Sequence, residues 1–381
     1  MQEHFVDTPQ QLKQLCERLQ DSPWLALDTE FIRERTYFPH FCLLQISNGK
    51  EALCIDPIRL EDLSPLMDLL FDKKIVKVFH AGRQDLEIFY QLWQRLPAPL
   101  FDTQVAASLL GQGEQVGYGS LVQKVLGIEL EKGASRTDWS QRPLEQEQVR
   151  YALDDVIHLG DVYLQQRAAL ESMGRLQWLD DDFNMLADPA TYQIDPESCW
   201  KRVKGRQHLK GVQIAVLQQL AAWRELQAIK CDKPRKWMVK DEILLEIARR
   251  TPSDKTQLLK LRGVEDRLVE RHGEDLLQLI KQARAIPKEQ WPVEKRSKRP
   301  SPVQEALADL LMCALRILAQ QQKISPAIIA GRKELDRLIN GERDIALLSG
   351  WRKSVAGEVL LDLVEGRRQI VTTEGVPRIE G

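Results

Sequence analysis

The chain has 381 residues, of which 43% are hydrophobic and 29% are charged, which predicts a soluble globular protein with two or three domains. No apolar run reaches the roughly 20 residues of a membrane span, and the N-terminus lacks a signal segment, so we expect a cytoplasmic protein without membrane contact. Six scattered cysteines without a Cys-x-x-Cys pair favour reduced thiols over disulfides or zinc.

The net charge of −2 conceals a strong asymmetry along the chain. Residues 1–195 carry a net charge of −13, whereas residues 196–381 carry +11. This division indicates an acidic unit joined to a unit that binds a polyanion. Two domains that merely differ in surface composition are the alternative.

The first half predicts alternating strands and helices. Apolar spacing and β-branched runs predict helices over 8–20, 63–71 and 84–93, and strands over 24–31, 41–47, 51–56 and 75–79. A further strand begins at Leu100, and helices follow to about residue 170, one of them over 144–169. Asn48-Gly49 is a hairpin dipeptide, so the pattern predicts a mixed α/β sheet rather than a purely parallel one.

Two acids end the first of these strands. Asp28 and Glu30 are two residues apart and project to the same face of a strand, with no basic residue between them. Adjacent carboxylates repel each other, and a hard divalent cation with oxygen ligands relieves that repulsion. Strand-end acids that simply face water are the alternative.

Further acids follow at helix starts and on one helix. Asp85 lies in the first turn of a helix, where an acid also suits the helix dipole, and Asp102 precedes Thr103 as an expected helix cap. Tyr151 and Asp155 share one helical face, and Asp154 points about 100° away. A half-buried tyrosine beside a solvated acid is the alternative for this last pair.

Together these motifs resemble the ribonuclease D family of DEDD exonucleases, in the subtype with tyrosine in the last motif. The matching segments are Ala26-Leu27-Asp28-Thr29-Glu30-Phe31, Phe79-His80-Ala81-Gly82-x-x-Asp85-Leu86-Glu87, Phe101-Asp102-Thr103, Ser135-Arg136-Thr137-Asp138-Trp139, Arg142-Pro143-Leu144 and Tyr151-Ala152-x-x-Asp155-Val156. The resemblance implies an RNase H-like α/β nuclease domain with a mixed sheet.

The resemblance also implies the chemistry. Asp28, Glu30, Asp85 and Asp155 would hold two divalent cations, Mg²⁺ or Mn²⁺, with Asp28 as the bridging ligand, and Tyr151 would orient the attacking water. His80, Arg136 and Trp139 are substrate-binding candidates, for which packing is an equally good account. No small-molecule cofactor is expected.

The second half predicts helical modules. After a nuclease domain over 1–172 and a connector over 173–207, residues 208–288 resemble the helicase-and-RNase-D C-terminal (HRDC) domain, and residues 300–372 a second, HRDC-like copy. The turn at 261–264 would offer N–H groups to phosphate. A basic linker over 289–299 and a frayed tail over 373–381 complete the division. The linker cations Lys295, Arg296, Lys298 and Arg299 either contact RNA or form a solvated tether.

These observations predict a monomeric 3′→5′ exoribonuclease. It would release nucleoside 5′-monophosphates, and by the resemblance its substrates would be tRNA precursors with 3′ extensions. A DNA exonuclease of the same fold is the first alternative, because the catalytic set does not contact the 2′-OH. A catalytically silent RNA-binding scaffold is the second.

Overall fold

The computed structural model describes residues 1–131, 133, 137–293 and 300–381. The chain forms two compact units. The first contains residues 1–31, 41–192 and the described residues from 300 to 381, and the second contains residues 32–40 and the described residues between 193 and 298. Among the described residues, no helix combines the length and apolar character that crossing a bilayer requires.

A six-stranded sheet forms the centre of the first unit. Its strands are β1 (Gln2–Val6), β2 (Trp24–Ile32), β3 (His40–Ser47), β4 (Glu51–Ile55), β5 (Val76–Phe79) and β6 (Leu100–Asp102), in the spatial order β1-β4-β3-β2-β5-β6. β3 pairs with β4 antiparallel, and the β1–β4, β2–β5 and β5–β6 pairs are parallel, which confirms the predicted mixed sheet. The sequence did not predict β1, because only Val6 of this strand is buried.

Among the described residues up to 192, eight α-helices accompany this sheet. They are α1 (Pro9–Leu19), α2 (Pro65–Leu70), α3 (Arg83–Trp93), α4 (Thr103–Leu109), α5 (Tyr118–Leu126), α6 (Gln146–Ile157), α7 (Leu159–Ser172) and α8 (Asp180–Leu186). The prediction of one helix over 144–169 is wrong, because His158 ends α6 and begins α7. Asp102 caps α4 by accepting from the N–H groups of Gln104 and Val105, as predicted.

The alternation of side chains along β2 separates the core from the acidic face. Leu25 and Leu27 are fully buried in the main hydrophobic cluster, together with Leu44 of β3 and Leu53 of β4. Ala26, Asp28 and Glu30 therefore project from the opposite face of the sheet. One strand thus anchors itself by its apolar residues and presents two carboxylates on its other side.

The second unit is a helical bundle. Two 3₁₀ turns (Pro196–Arg202 and Arg206–His208) precede α9 (Val212–Lys230), α10 (Arg235–Met238), α11 (Asp241–Arg250), α12 (Lys255–Leu259) and α13 (Asp266–Ala285). Trp200, Leu217, Leu220, Ile247 and Leu276 are buried in its core. Residues 32–40, which connect β2 to β3, belong to this unit by their contacts.

The last helices repeat the order of the second unit. α14 (Pro302–Gln322) is long, α15 (Pro326–Ile329) is short, and α16 (Arg332–Ile339) follows, as α9, α10 and α11 do. The sequence continues through α17 (Gly350–Arg352), a π-turn (Lys353–Gly357) and α18 (Glu358–Val364). The predicted frayed tail is wrong, since β7 (Gln369–Thr373) and β8 (Val376–Glu380) form an antiparallel hairpin.

These C-terminal helices pack against the residues that follow α7. The rings of Trp178 and Trp351 stack with centroids 4.5 Å apart and an interplanar angle of 4°. Arg175 donates from Nη2 to the carbonyl oxygen of Gln322 at 2.9 Å. The C-terminal helices are therefore part of the first unit and not an independent appendage.

Candidate active site

β2 supplies the first two acids of the site. Asp28 and Glu30 are both half-buried on the face of the sheet opposite the main core. The strand places them two residues apart, so their carboxyl groups share one direction. Burial raises the pKa of Asp28 well above its ordinary value, and the nearby charges of Asp85, Asp155 and Glu30 add to the effect.

α3 supplies the third acid. Asp85 is buried in the first turn of this helix, and its carboxylate accepts a hydrogen bond from the Thr29 hydroxyl. Thr29 lies between Asp28 and Glu30, so this bond ties α3 to the acidic end of β2. Burial raises the pKa of Asp85 to about 6, although the bond from Thr29 lowers it.

Asp102 fixes the backbone that leads into α3. Its carboxylate accepts from the N–H groups of Ala81 at 3.1 Å and Gly82 at 2.9 Å, in addition to the two N–H groups of α4. Ala81 has a φ of +56°, a left-handed conformation that costs a non-glycine residue free energy. The Asp102 carboxylate stabilises this turn and thereby sets where Asp85 enters the site.

α6 supplies the fourth acid and a tyrosine. Tyr151 hydrogen-bonds to Asp155 one helical turn later. Asp154 points elsewhere and forms an ion pair with Arg150, as its position on the helix predicts. Burial raises the pKa of Asp155 to about 7, with the charge of Asp154 as the next contribution.

These elements bring the acids together. Asp28, Glu30 and Asp155 each offer a carboxylate oxygen, and these three oxygens all lie within 4.8 Å of one another. Burial, followed by the charges of Asp155 and Asp85, raises the pKa of Glu30 to about 8. Burial is the largest cause of the raised pKa of all four acids, and charges within the cluster add to it for Asp28, Glu30 and Asp155.

The donor set fits a hard divalent cation. All of the converging side chains offer carboxylate oxygens, the ligands that Mg²⁺ and Mn²⁺ prefer, and histidine contributes none. A cation placed among these oxygens supplies the positive charge that the described side chains around the cluster do not. The geometry and the electrostatics therefore point to the same occupant.

Tyr151 is held as a neutral phenol. Burial and the charges of Asp155, Glu30 and Asp28 raise its pKa above its ordinary value. Its ring lies against the Gly133 backbone, where an added Cβ would approach the Tyr151 Cδ2 atom to 2.4 Å. The hydroxyl thus remains a hydrogen-bond donor at neutral pH.

The substrate-binding candidates fall in different surroundings. The ring nitrogens of His80 bond the Thr103 hydroxyl at 2.9 Å and the Val116 carbonyl at 3.0 Å. Trp139 is buried beside Tyr151, with ring centroids 6.2 Å apart. The remaining candidates lie outside the described residues: Arg136, Lys295, Arg296, Lys298 and Arg299.

Sequence reasoning missed residues that support the acids. The strand period places Thr29 on the other face from Asp28 and Glu30, so no pattern indicated its bond to Asp85. Tyr118 is a second missed residue: its hydroxyl donates to the Asp154 carbonyl at 3.1 Å, and its pKa is raised by burial and then by the charges of Asp155 and Asp28. Only the structure brings these side chains to the site.

Comparison with known proteins identifies an exonuclease domain followed by an HRDC domain. The family model for 3'-5' exonucleases matches residues 4–171, and the HRDC domain model matches residues 213–280. Ribonuclease D of Gluconacetobacter diazotrophicus is 42% identical over 369 residues, which cover 95% of this chain and 93% of that protein. Ribonuclease D of Sphingobium indicum is 41% identical over 382 residues, with 98% of each chain covered.

Solved structures extend the likeness to three dimensions. Escherichia coli RNase D, an exoribonuclease involved in structured RNA processing, has a TM-score of 0.85 and 32% identity, and the match covers 97% of this chain and 100% of that chain. The catalytic core of RRP6 from Trypanosoma brucei has a TM-score of 0.57 and 26% identity over 74% of this chain and 80% of that chain. With identity above 40% to curated relatives along nearly its whole length, this chain belongs to the ribonuclease D family.

Proposed function

We propose that this protein is a metal-dependent 3′→5′ exoribonuclease that hydrolyses the terminal phosphodiester of RNA and releases nucleoside 5′-monophosphates. One observation carries the proposal: the oxygens of Asp28, Glu30 and Asp155 converge within 4.8 Å, and Asp85 is tied to the same strand end through Thr29. A desolvated carboxylate cluster of this kind suits phosphoryl transfer assisted by cations.

Two Mg²⁺ or Mn²⁺ ions are the proposed cofactors, held by Asp28, Glu30, Asp85 and Asp155. When bound, such a pair activates a water and stabilises the attacking and leaving oxygens of an in-line displacement. The central position of Asp28 among the charges that raise its pKa supports its role as the bridging ligand.

Tyr151 is the proposed positioning group for the attacking water. Its phenol stays protonated, because burial and the nearby carboxylates raise its pKa, and its single O–H donates to Asp155. The phenol oxygen therefore orients the water by accepting a hydrogen bond from it rather than by removing a proton. Its bond to Asp155 and its packing beside Trp139 fix the direction of the hydroxyl.

The proposed physiological substrates are tRNA precursors with 3′ extensions, acted on in the cytoplasm by a monomer. The basic second half of the chain supports an RNA-binding role, since the net charge changes from −13 to +11 at about residue 195. The helix order of α14–α16 supports an HRDC-like character for residues 300–372.

Digestion of matched substrates tests this function. A 3′-extended tRNA precursor, incubated with purified protein and Mg²⁺ or Mn²⁺, should shorten one nucleotide at a time from its 3′ end and release 5′-monophosphates. EDTA should stop the reaction. Preferential digestion of a DNA oligonucleotide of the same sequence would favour the DNA exonuclease, and an inert protein with both metals would favour the scaffold.

A further inference from the structure

The second unit contains an open groove with a volume of about 1080 Å³. Its lining comes from the β2–β3 loop, from Arg202, Lys204 and Arg224, and from residues 234–242 around α10, so every lining residue belongs to the second unit. We propose that this groove binds a single-stranded segment of RNA, through phosphate contacts to Lys204, Lys236 and Lys240 and base stacking on Trp237.

The charge of the lining is the first argument. Basic residues outnumber acidic ones by seven to three. Lys204, Lys236 and Lys240 are exposed, and their ammonium groups make no hydrogen bond or ion pair with another described residue. Asp241, by contrast, is already paired with Arg224 at 2.7 Å. Uncompensated cations gathered in one groove favour a polyanion, whose condensed counterions they displace.

The exposure of Trp237 is the second argument. Its side chain is 60% exposed, although tryptophan is usually largely buried in folded proteins. The indole makes no ring-stacking or cation–π contact with another described residue, and in the sequence it lies between two groove cations, Lys236 and Lys240. An exposed aromatic ring among cations is the arrangement on which unpaired bases stack.

The fixed conformation of the β2–β3 loop is the third argument. The Tyr37 hydroxyl donates to the buried carboxylate of Glu225, and Asp232 accepts from the N–H groups of Tyr37 at 2.9 Å and Phe38 at 3.0 Å. Arg33 donates from Nε to the Tyr37 carbonyl at 3.1 Å. These bonds hold the β2–β3 loop in place, so the groove is already formed before RNA binds. Little binding free energy is therefore lost in ordering the loop.

The same features select a single strand over a duplex or an acidic protein. A duplex presents phosphates but keeps its bases stacked inside, so Trp237 would contribute nothing. An acidic protein surface offers carboxylates without the planar bases that an exposed indole stacks on. The combination of lysines and a free indole is therefore best matched by an unpaired RNA segment.

Fluorescence anisotropy with a labelled, unstructured RNA 12-mer in EDTA tests the site, because no cleavage occurs without metal. The variant Lys236→Gln/Lys240→Gln should bind about tenfold more weakly at 0.15 M salt, and the slope of log K against log salt should fall by about 1.4. Trp237→Ala should weaken binding of the single strand at least about fivefold, whereas the affinity for an RNA duplex should not change.

Lys230→Gln/Lys281→Gln is the matched control, since both lysines are exposed in the same unit and lie outside the groove, and the double substitution removes the same charge. Equal losses in the control and groove pairs would overturn the proposal, as would a Trp237→Ala protein that binds the single strand normally. If polyglutamate displaced all of the labelled RNA in a competition experiment, the groove would be assigned to an acidic protein instead.

The inference relies on the proposed function only for the identity of the polymer. Binding in EDTA does not require a working active site, so the RNA-binding groove and the exoribonuclease activity can be refuted independently. An enzyme that leaves a trinucleotide intact in the presence of Mn²⁺ contradicts the proposed function, whereas unchanged binding by the groove variants contradicts this site alone.

Discussion

Proton release on metal binding is the sharpest test of the acidic cluster. At pH 7, pKa values of about 8 for Glu30, 7 for Asp155 and 6 for Asp85 leave these groups about nine-tenths, half and one-tenth protonated, or about 1.5 protons in all. Burial and the neighbouring carboxylates also raise the pKa of Asp28, so this group adds to the release. Cations bind the ionised carboxylates, so saturation with Mn²⁺ should release at least about 1.5 protons at pH 7.

Titration calorimetry in buffers of different ionisation enthalpy measures this number directly. The release should fall below about one proton at pH 9, where Glu30 and Asp155 are largely ionised before metal is added. Asp21→Asn is the control, because Asp21 is exposed and its charge does not contribute to the raised pKa values of the four acids, so the proton count should stay near that of the unchanged protein. A release near zero at pH 7 would refute the reasoning that the metal-free cluster is held partly neutral.

The same raised pKa values set the pH dependence of metal-free stability. Each acid titrates at a higher pH in the folded state than in the unfolded chain, so its contribution to the free energy of unfolding is fully present below about pH 4. That contribution is lost as the pH rises through 6 to 8. The Tm measured in EDTA should therefore fall over this range, and added Mn²⁺ should raise it most at the alkaline end.

Four substitutions extend the test. Asp28→Asn should reduce cleavage at least about a thousandfold by removing a shared ligand, while RNA binding in EDTA is retained, and lost binding would show a folding defect instead. Tyr151→Phe should lower kcat about 10- to 100-fold with little change in KM, and equal activity would remove its assigned role. Thr29→Val keeps the shape of the side chain but removes the hydroxyl that donates to Asp85. It should raise the metal concentration needed for half-maximal rate about tenfold or more. An unchanged metal dependence would contradict the positioning role of Thr29. Trp351→Ala should lower the free energy of unfolding, measured by urea denaturation, by about 3–5 kcal/mol, because it removes a buried ring that stacks on Trp178 and leaves a cavity. A loss below about 1 kcal/mol would argue against that packing.

The sequence predicts the acidic face because local periods determine it. Alternation along β2 places Asp28 beside Glu30, and the i, i+4 spacing on α6 places Tyr151 beside Asp155. The cap at Asp102 follows from Thr103 and the apolar helix after it. These features depend on residues only a few positions apart, so their spacing can be read from the sequence alone.

The supporting bonds depend on distant neighbours and escape such reasoning. Thr29 reaches Asp85 across 56 positions, and Tyr37 reaches Glu225 across 188. No period or spacing encodes such pairs without the tertiary structure. The C-terminal hairpin was missed for a related reason: β7 and β8 are largely exposed and carry no alternating apolar pattern.

The route of the chain has a consequence for its synthesis. Because the described residues from 300 to 381 complete the same unit as residues 1–31 and 41–192, the ribosome delivers the last parts of that unit only after the helices of the intervening unit have emerged. Trp178 is translated more than a hundred residues before Trp351, so during that interval its ring has no stacking partner. A nascent chain halted near residue 298 should therefore be more vulnerable to proteases around Trp178 than the released protein.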